Sequence, residues 1–135
     1  MLAIYSWELQ AIFPNMNHKT YRILLGLYAG LILTLSSIPS KNMPRSFILE
    51  WDKVIHFSEY FIFGILAAKS IEHLTIKWIY IIIPLGVIFG IVDEYFQSFI
   101  SGRFSSGWDA LSDSLGFSLA VLLVWLRTND NKNIH

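Results

Sequence analysis

Residues 23–40, ILLGLYAGLILTLSSIPS, hold no charged side chain between Arg22 and Lys41. With Tyr21 and Arg22 the stretch approaches the ~20 residues of one bilayer crossing, and it ends near Pro39. The rest of the chain is of the same kind. Apolar residues make up 54% of the 135, and mean hydropathy is +0.50. Charged residues are 15%, against about 25% in ordinary soluble domains. A soluble domain of this size needs charge to cover its surface, whereas a helical membrane domain turns apolar side chains toward lipid.

Three further segments extend the pattern. One runs from about Trp51 to Ile71, with Asp52, Lys53, His56 and Glu59 in its first turns and an apolar second half. The next starts after Lys77 and is free of charge for 15 residues, so it reaches crossing length only by continuing through Asp93, Glu94 and Gln97. The last runs from about Gly107 to Leu126, with Asp109 and Asp113 at its start and LGFSLAVLLVWL (115–126) after them. The expected fold is therefore all-α: an integral membrane four-helix bundle with both termini on one side. Its parts are an N-terminal segment 1–20, a four-span domain 21–126 and a polar tail 127–135. Trp51, Trp78, Trp108 and Trp125 fall near span ends, as interfacial anchors do.

Lys19, Arg22, Lys69, Lys77, Arg127 and Lys132 share one side in this topology, and Lys41, Arg45, Lys53 and Arg103 the other. Six bases against four put the termini on the cytoplasmic side. The first residues lack the basic start of a secretory signal; they read either as lying ahead of a natural start at Met16 or as an interfacial helix built on Trp7, Ile12 and Phe13. Formal net charge is zero, which argues against a nucleic-acid partner. With no cysteine, disulfides, thiolate zinc sites and thiol nucleophiles are excluded.

The same topology brings the polar ends of three spans to the non-cytoplasmic face. Asp52, His56 and Glu59 form one stripe of the second helix, Asp109, Asp113 and Gly116 the matching stripe of the fourth, and Asp93 and Gln97 share a face of the third. Counted with Lys53, Glu94 and Arg103, this set holds six acids and two strong bases, a net charge of minus four with neutral His56. Two carboxylates about 6 Å apart repel by roughly 3 kcal/mol at an effective dielectric near 20. A retained proton, the Lys53 and Arg103 side chains, a divalent cation or a cationic ligand would relieve them. Asp52, Lys53 and Glu94 alone are what helix ends in the headgroup layer carry. Glu59 and Asp113 lie one to two turns deeper, where an ionised acid costs up to about 3 kcal/mol, and they argue for a buried pocket.

Each group also has a purely structural role. His56 and Glu59 suit a proton relay or metal ligation, but such a pair more often forms a hydrogen bond in a polar bundle end. A hard cation such as Mg or Ca would use the oxygen ligands; no metal or other cofactor is assigned. Arg103, after Gly102, is suited to clamp a carboxylate or phosphate or, slightly favoured, to bridge internally to Asp109 or Glu94. Gly26-x-x-x-Gly30 and Gly86-x-x-x-Gly90 are assigned to packing within the monomer, and Pro84 to a kink in the third helix. His18, His73 and His135 fall in the cytoplasmic loop or tails and need no functional role.

Two stretches carry a family likeness. DKVIHFSEYFIFGIL (52–66) and DEYFQSFISGRFSSGWDALSDSLG (93–116) resemble the VanZ-like family of small bacterial membrane proteins. The shared spacing is D-K-x-x-H-F-x-E-Y, then D-E-x-x-Q, then G-R and D-x-x-x-N-x-x-G. Leu35-Ser36-Ser37-Ile38-Pro39 is similar to the end of that family's first span. The likeness covers about residues 22–126 and departs at Asp113, where the pattern has Asn; this adds an acid to an acidic set. The resemblance implies a membrane location and an envelope role, since the founding member is associated with resistance to the glycopeptide teicoplanin.

Three functions follow as expectations. The leading one is a polar pocket at the outer face, built on Asp52, His56, Glu59, Asp93, Glu94, Asp109 and Asp113 with Lys53, Gln97 and Arg103, that binds an envelope substrate or a glycopeptide-type ligand. The second is an acid/base enzyme acting on a lipid-linked sugar or phosphate, with those acids as catalytic groups. The third is a proton-coupled carrier, for which no inverted repeat is visible.

Overall fold

The computed structural model describes residues 16–39, 45–103 and 105–130, with the side chains of 45–50 outside the description. Four helices make up the described chain: α1 His18–Ser36, α2 Arg45–Lys69, α3 Ile76–Gln97 and α4 Gly107–Asp130. They fall on the four apolar segments. α1 begins on an Asn17 cap whose side chain accepts from the Lys19 N–H at 3.1 Å. α3 continues without interruption through Pro84. α4 runs four residues beyond Leu126, into what reads in the sequence as a polar tail. Met16 precedes α1, while Trp7, Ile12 and Phe13 lie outside the described residues, as do Lys41, Lys132 and His135.

α2 and α4 form the central pair and run in the same direction, with α3 packed on α4 and α1 on α2. Contacts at the bundle ends fix this arrangement. Lys53 and Asp109 meet at the start of α2 and α4, while Ser36 at the end of α1 meets Asp93 and Gln97 near the end of α3. The described chain therefore begins and ends at the opposite end of the bundle. Small residues let α2 and α4 approach. A Cβ on Gly116 would collide with the Phe57 carbonyl, and one on Gly64 would stand 2.6 Å from the Phe117 carbonyl oxygen.

The glycine pairs divide. Gly86 faces the Phe117 ring and Gly90 lies against Asp113 and Tyr60, so this pair packs within the monomer. Gly26 and Gly30 do not: both are exposed, with nothing among the described residues within 4 Å of an added Cβ, because α1 turns its other face to α2.

Helix C-termini are held by basic side chains, which the sequence did not announce. Arg22 Nε donates to the Ser70 carbonyl at 3.0 Å, and His18 Nδ1 lies 2.9 Å from the Lys69 carbonyl oxygen. At the other end Arg103 donates to the carbonyls of Leu35 (2.8 Å) and Ile38 (3.2 Å). Cations at these positions satisfy orphan carbonyls and oppose the negative end of the helix dipole. His18 thus has a structural role that its position in a tail did not suggest.

Around an apolar core that includes Ile32, Tyr60, Phe117 and Val121, burial departs from that of a water-soluble bundle. Asp93 and Asp113 are fully buried, with Glu94, Gln97, Asp109 and His56 nearly so. Ile81, Leu85, Ile88, Ile91 and Val92 of α3 and Leu111, Leu115, Leu119 and Leu122 of α4 are exposed. α3 and α4 are each long and apolar enough to cross a membrane. α1 and α2 fall short by the same measure, since Lys19 and Arg22 open one and Asp52, Lys53 and Glu59 sit inside the other. Trp51, Trp78 and Trp108 are exposed near helix ends, and Trp125 packs partly against the core.

Candidate functional site

Two linked polar clusters occupy one end of the bundle. The first is centred on Asp93. Its Oδ2 accepts from Ser36 Oγ (3.0 Å), Tyr60 Oη (3.2 Å) and Gln97 Nε2 (3.2 Å), and Gln97 also donates to Ser36 Oγ at 3.1 Å. Three helices contribute: α1 through Ser36, α2 through Tyr60 and α3 through Asp93 and Gln97. Asp93 and Gln97 share a face because four residues is about one helical turn.

The second cluster is centred on His56. Its Nδ1 stands 3.0 Å from Asp113 Oδ1 on α4 and 3.7 Å from Glu94 Oε1 on α3, and its Nε2 is 3.7 Å from Asp52 Oδ1 one turn back on α2. For a carboxylate acceptor the 3.0 Å contact requires the proton on Nδ1. Glu94 is held from its other oxygen, since Oε2 accepts the Ser106 N–H at 3.2 Å. Lys53, mostly exposed, reaches Asp109 Oδ1 at 3.0 Å and neutralises that acid at the rim.

Three buried carboxylate oxygens have no hydrogen-bond partner among the described residues: Asp93 Oδ1, Glu94 Oε1 and Asp113 Oδ2. A buried acceptor left unpaired costs about 1–3 kcal/mol, more when charged. Two triads, Asp52–His56–Asp109 and His56–Glu94–Asp113, each place one donor atom per residue within 4.8 Å of the others.

The convergence read from the helical stripes is present: Asp52, His56, Asp93, Glu94, Gln97, Asp109 and Asp113 come together, with Lys53 at the edge. Two residues stand otherwise. Glu59 is half-buried, and its carboxylate makes no hydrogen bond or ion pair among the described residues, although His56, Asp93, Asp113 and Arg103 lie within its electrostatic reach. Arg103 bridges to neither Asp109 nor Glu94; its guanidinium is spent on the end of α1. The sequence reading missed Ser36, Tyr60 and the Ser106 N–H as members. Tyr60 carried a signal, standing one turn after His56, and Ser36 sits in the Ser-Ser that closes the first apolar run.

Below the two clusters lies an aromatic layer. Phe63 packs against Phe89 (centroids 5.0 Å apart), Phe117 (5.5 Å) and Tyr60 (6.0 Å). The apolar cleft toward the other end, about 440 Å³ and lined by Leu25, Ala67, Ile82 and Phe89 among others, shares no residue with the polar centre.

What fold and site define is an all-α four-helix bundle with a buried acid–histidine centre at one end. No family model, curated protein or solved structure matches the chain.

Proposed function

We propose that this chain is a multi-pass protein of the bacterial inner membrane, related to the VanZ-like proteins, whose acid–histidine centre opens at the outer face and binds the positively charged part of an envelope ligand of glycopeptide type. The observation that carries the reading is the polarity of the bundle: Asp93, Glu94, Asp109 and Asp113 are buried while many leucines and isoleucines of α3 and α4 lie on the surface. In water that distribution exposes most of the apolar surface, whereas in lipid it satisfies both. The termini then face the cytoplasm, the α2–α3 turn lies on the same side, and the α3–α4 loop lies outside.

The charge of the centre selects the ligand. Unneutralised carboxylates at headgroup depth attract an amine and repel a phosphate. Arg103, the one base that would have clamped a phosphate, is engaged elsewhere. The aromatic layer closes the inner side of the centre, which disfavours a carrier. The motif spacing DKxxHFxEY and DExxQ supports the envelope assignment.

A second reading, an acid/base enzyme on a lipid-linked substrate, is favoured by the His56–Asp113 pair, whose 3.0 Å contact fixes a ring tautomer as proton-transfer groups require. Purified protein in lipid nanodiscs, presented separately with a fluorescent glycopeptide and with labelled lipid-linked precursor, separates the two. Saturable glycopeptide binding that Asp93→Asn abolishes supports the first; turnover of the precursor without glycopeptide binding replaces it with the second.

A further inference from the structure

We propose that His56, Glu94 and Asp113 form a binding site for a divalent transition-metal ion of the manganese or zinc class. The inference goes beyond the reading of this centre as an amine-binding site, since an ion held here takes up the charge that would attract an amine.

Donor spacing is the first argument. His56 Nδ1 lies 3.0 Å from Asp113 Oδ1 and 3.7 Å from Glu94 Oε1. With metal–ligand bonds of ~2.1 Å, neighbouring donors stand about 3.0 Å apart at right angles and about 3.4 Å apart in a tetrahedron. The first pair matches and the second is wide by a few tenths of an ångström, with all three donors within 4.8 Å of one another, so an ion enters by drawing Glu94 inward.

The unpaired oxygens are the second. Glu94 Oε1 and Asp113 Oδ2 are buried without a hydrogen-bond partner, and Glu94 Oε1 is directed at His56. With Nδ1 deprotonated to ligate an ion, the triad carries two negative charges. Lys53 does not offset them, because it is paired to Asp109, and Arg103 makes no ion pair with either acid. A divalent ion balances the two charges.

The third is the support behind the donors. A ligating histidine usually gives its second ring N–H to a carboxylate, which sets its tautomer. His56 Nε2 faces Asp52 Oδ1 at 3.7 Å, so an ion at Nδ1 displaces the proton held there against Asp113 and leaves the ring N–H on Nε2, toward Asp52. Glu94 is braced through Oε2 by the Ser106 N–H at 3.2 Å, leaving Oε1 for the ion. One imidazole and two carboxylates match manganese or zinc better than an all-oxygen calcium site. Three protein ligands leave coordination positions for a ligand atom. The outer triad, Asp52–His56–Asp109, is the poorer site because Lys53 already occupies Asp109.

The test is titration of EDTA-stripped protein in nanodiscs with manganese(II), following free ion by electron paramagnetic resonance. One saturable ion per chain is expected, with affinity falling at least tenfold in Glu94→Gln and in Asp113→Asn and about tenfold in Asp52→Asn, as for other outer-shell partners. Lys77→Ala, at the opposite end of the bundle, is expected to bind as wild type. Electron spin echo modulation on the wild-type protein needs no variant and is expected to show one directly bound imidazole nitrogen. Absence of saturable uptake at millimolar manganese or zinc, of nitrogen modulation, or of any effect of Glu94→Gln and Asp113→Asn would overturn the metal site. Glycopeptide binding persisting after EDTA would then leave the ligand-site reading standing, whereas metal uptake without glycopeptide binding would do the reverse.

Discussion

His56 Nδ1 and Asp113 Oδ1 stand 3.0 Å apart across the α2–α4 interface, although 57 residues separate them in the chain. This contact joins the parallel central helices at the depth where neither side chain reaches water. Asp113→Asn keeps an acceptor oxygen of the same shape, and in metal-free protein it is expected to shift stability by under about 1 kcal/mol. Asp113→Leu strands the imidazole and is expected to cost about 1–3 kcal/mol. Thermal unfolding in detergent micelles, read by circular dichroism, checks both.

The glycines at the α2–α4 crossing set how near the helices come. Gly116→Val forces a side chain into the Phe57 backbone, and Gly64→Leu into that of Phe117. Each is expected to destabilise the bundle by about 1–3 kcal/mol or more, as overpacking does. Gly30→Ala meets open space and is expected to leave the melting temperature unchanged or slightly raised. The same unfolding measurement ranks the three.

Asp93 gathers three donors on one oxygen, and deleting them singly weighs the cluster. Tyr60→Phe and Ser36→Ala are each expected to cost about 1–3 kcal/mol, the range for hydrogen bonds to a charged group. Because both donors serve the same oxygen and Ser36 also accepts from Gln97, the double variant is expected to depart from additivity by more than about 0.5 kcal/mol. Additive losses would mean that the donors act independently.

Arg103 ties the α3–α4 loop to the end of α1 through two carbonyls. Lysine cannot reproduce a planar fork over two acceptors. Arg103→Lys is therefore expected to behave nearly as Arg103→Ala in loop protection, both raising hydrogen exchange across residues 35–38. If lysine restores wild-type protection, charge alone suffices.

The four helices were legible because long charge-free runs separated by short polar stretches leave few alternatives, and the stripes followed from helical periodicity. Contact between helices was less so. Around His56, Glu59 lies about 60° to one side and Tyr60 about 40° to the other at 100° per residue. The stripe admitted both, and packing against α3 and α4 buried Tyr60 and left Glu59 at the margin. Arg103 was misread for a related reason. Sequence shows which acids are near a base, but not that the end of α1, with its unpaired carbonyls, arrives first. Gly26 and Gly30 have the spacing of a packing motif, yet the motif is silent on which face of α1 meets α2.

The account turns on where the exposed leucines and isoleucines lie, and single-cysteine labelling measures it in a chain that has no native cysteine. In intact cells a membrane-impermeant maleimide is expected to label Ser105→Cys, to label His73→Cys only after permeabilisation, and to leave Leu85→Cys and Leu119→Cys unmodified in either state. Rapid labelling of Leu85→Cys and Leu119→Cys by the water-soluble reagent, or recovery of the chain without membranes, would contradict a bundle whose apolar surface faces lipid and whose acids face one another.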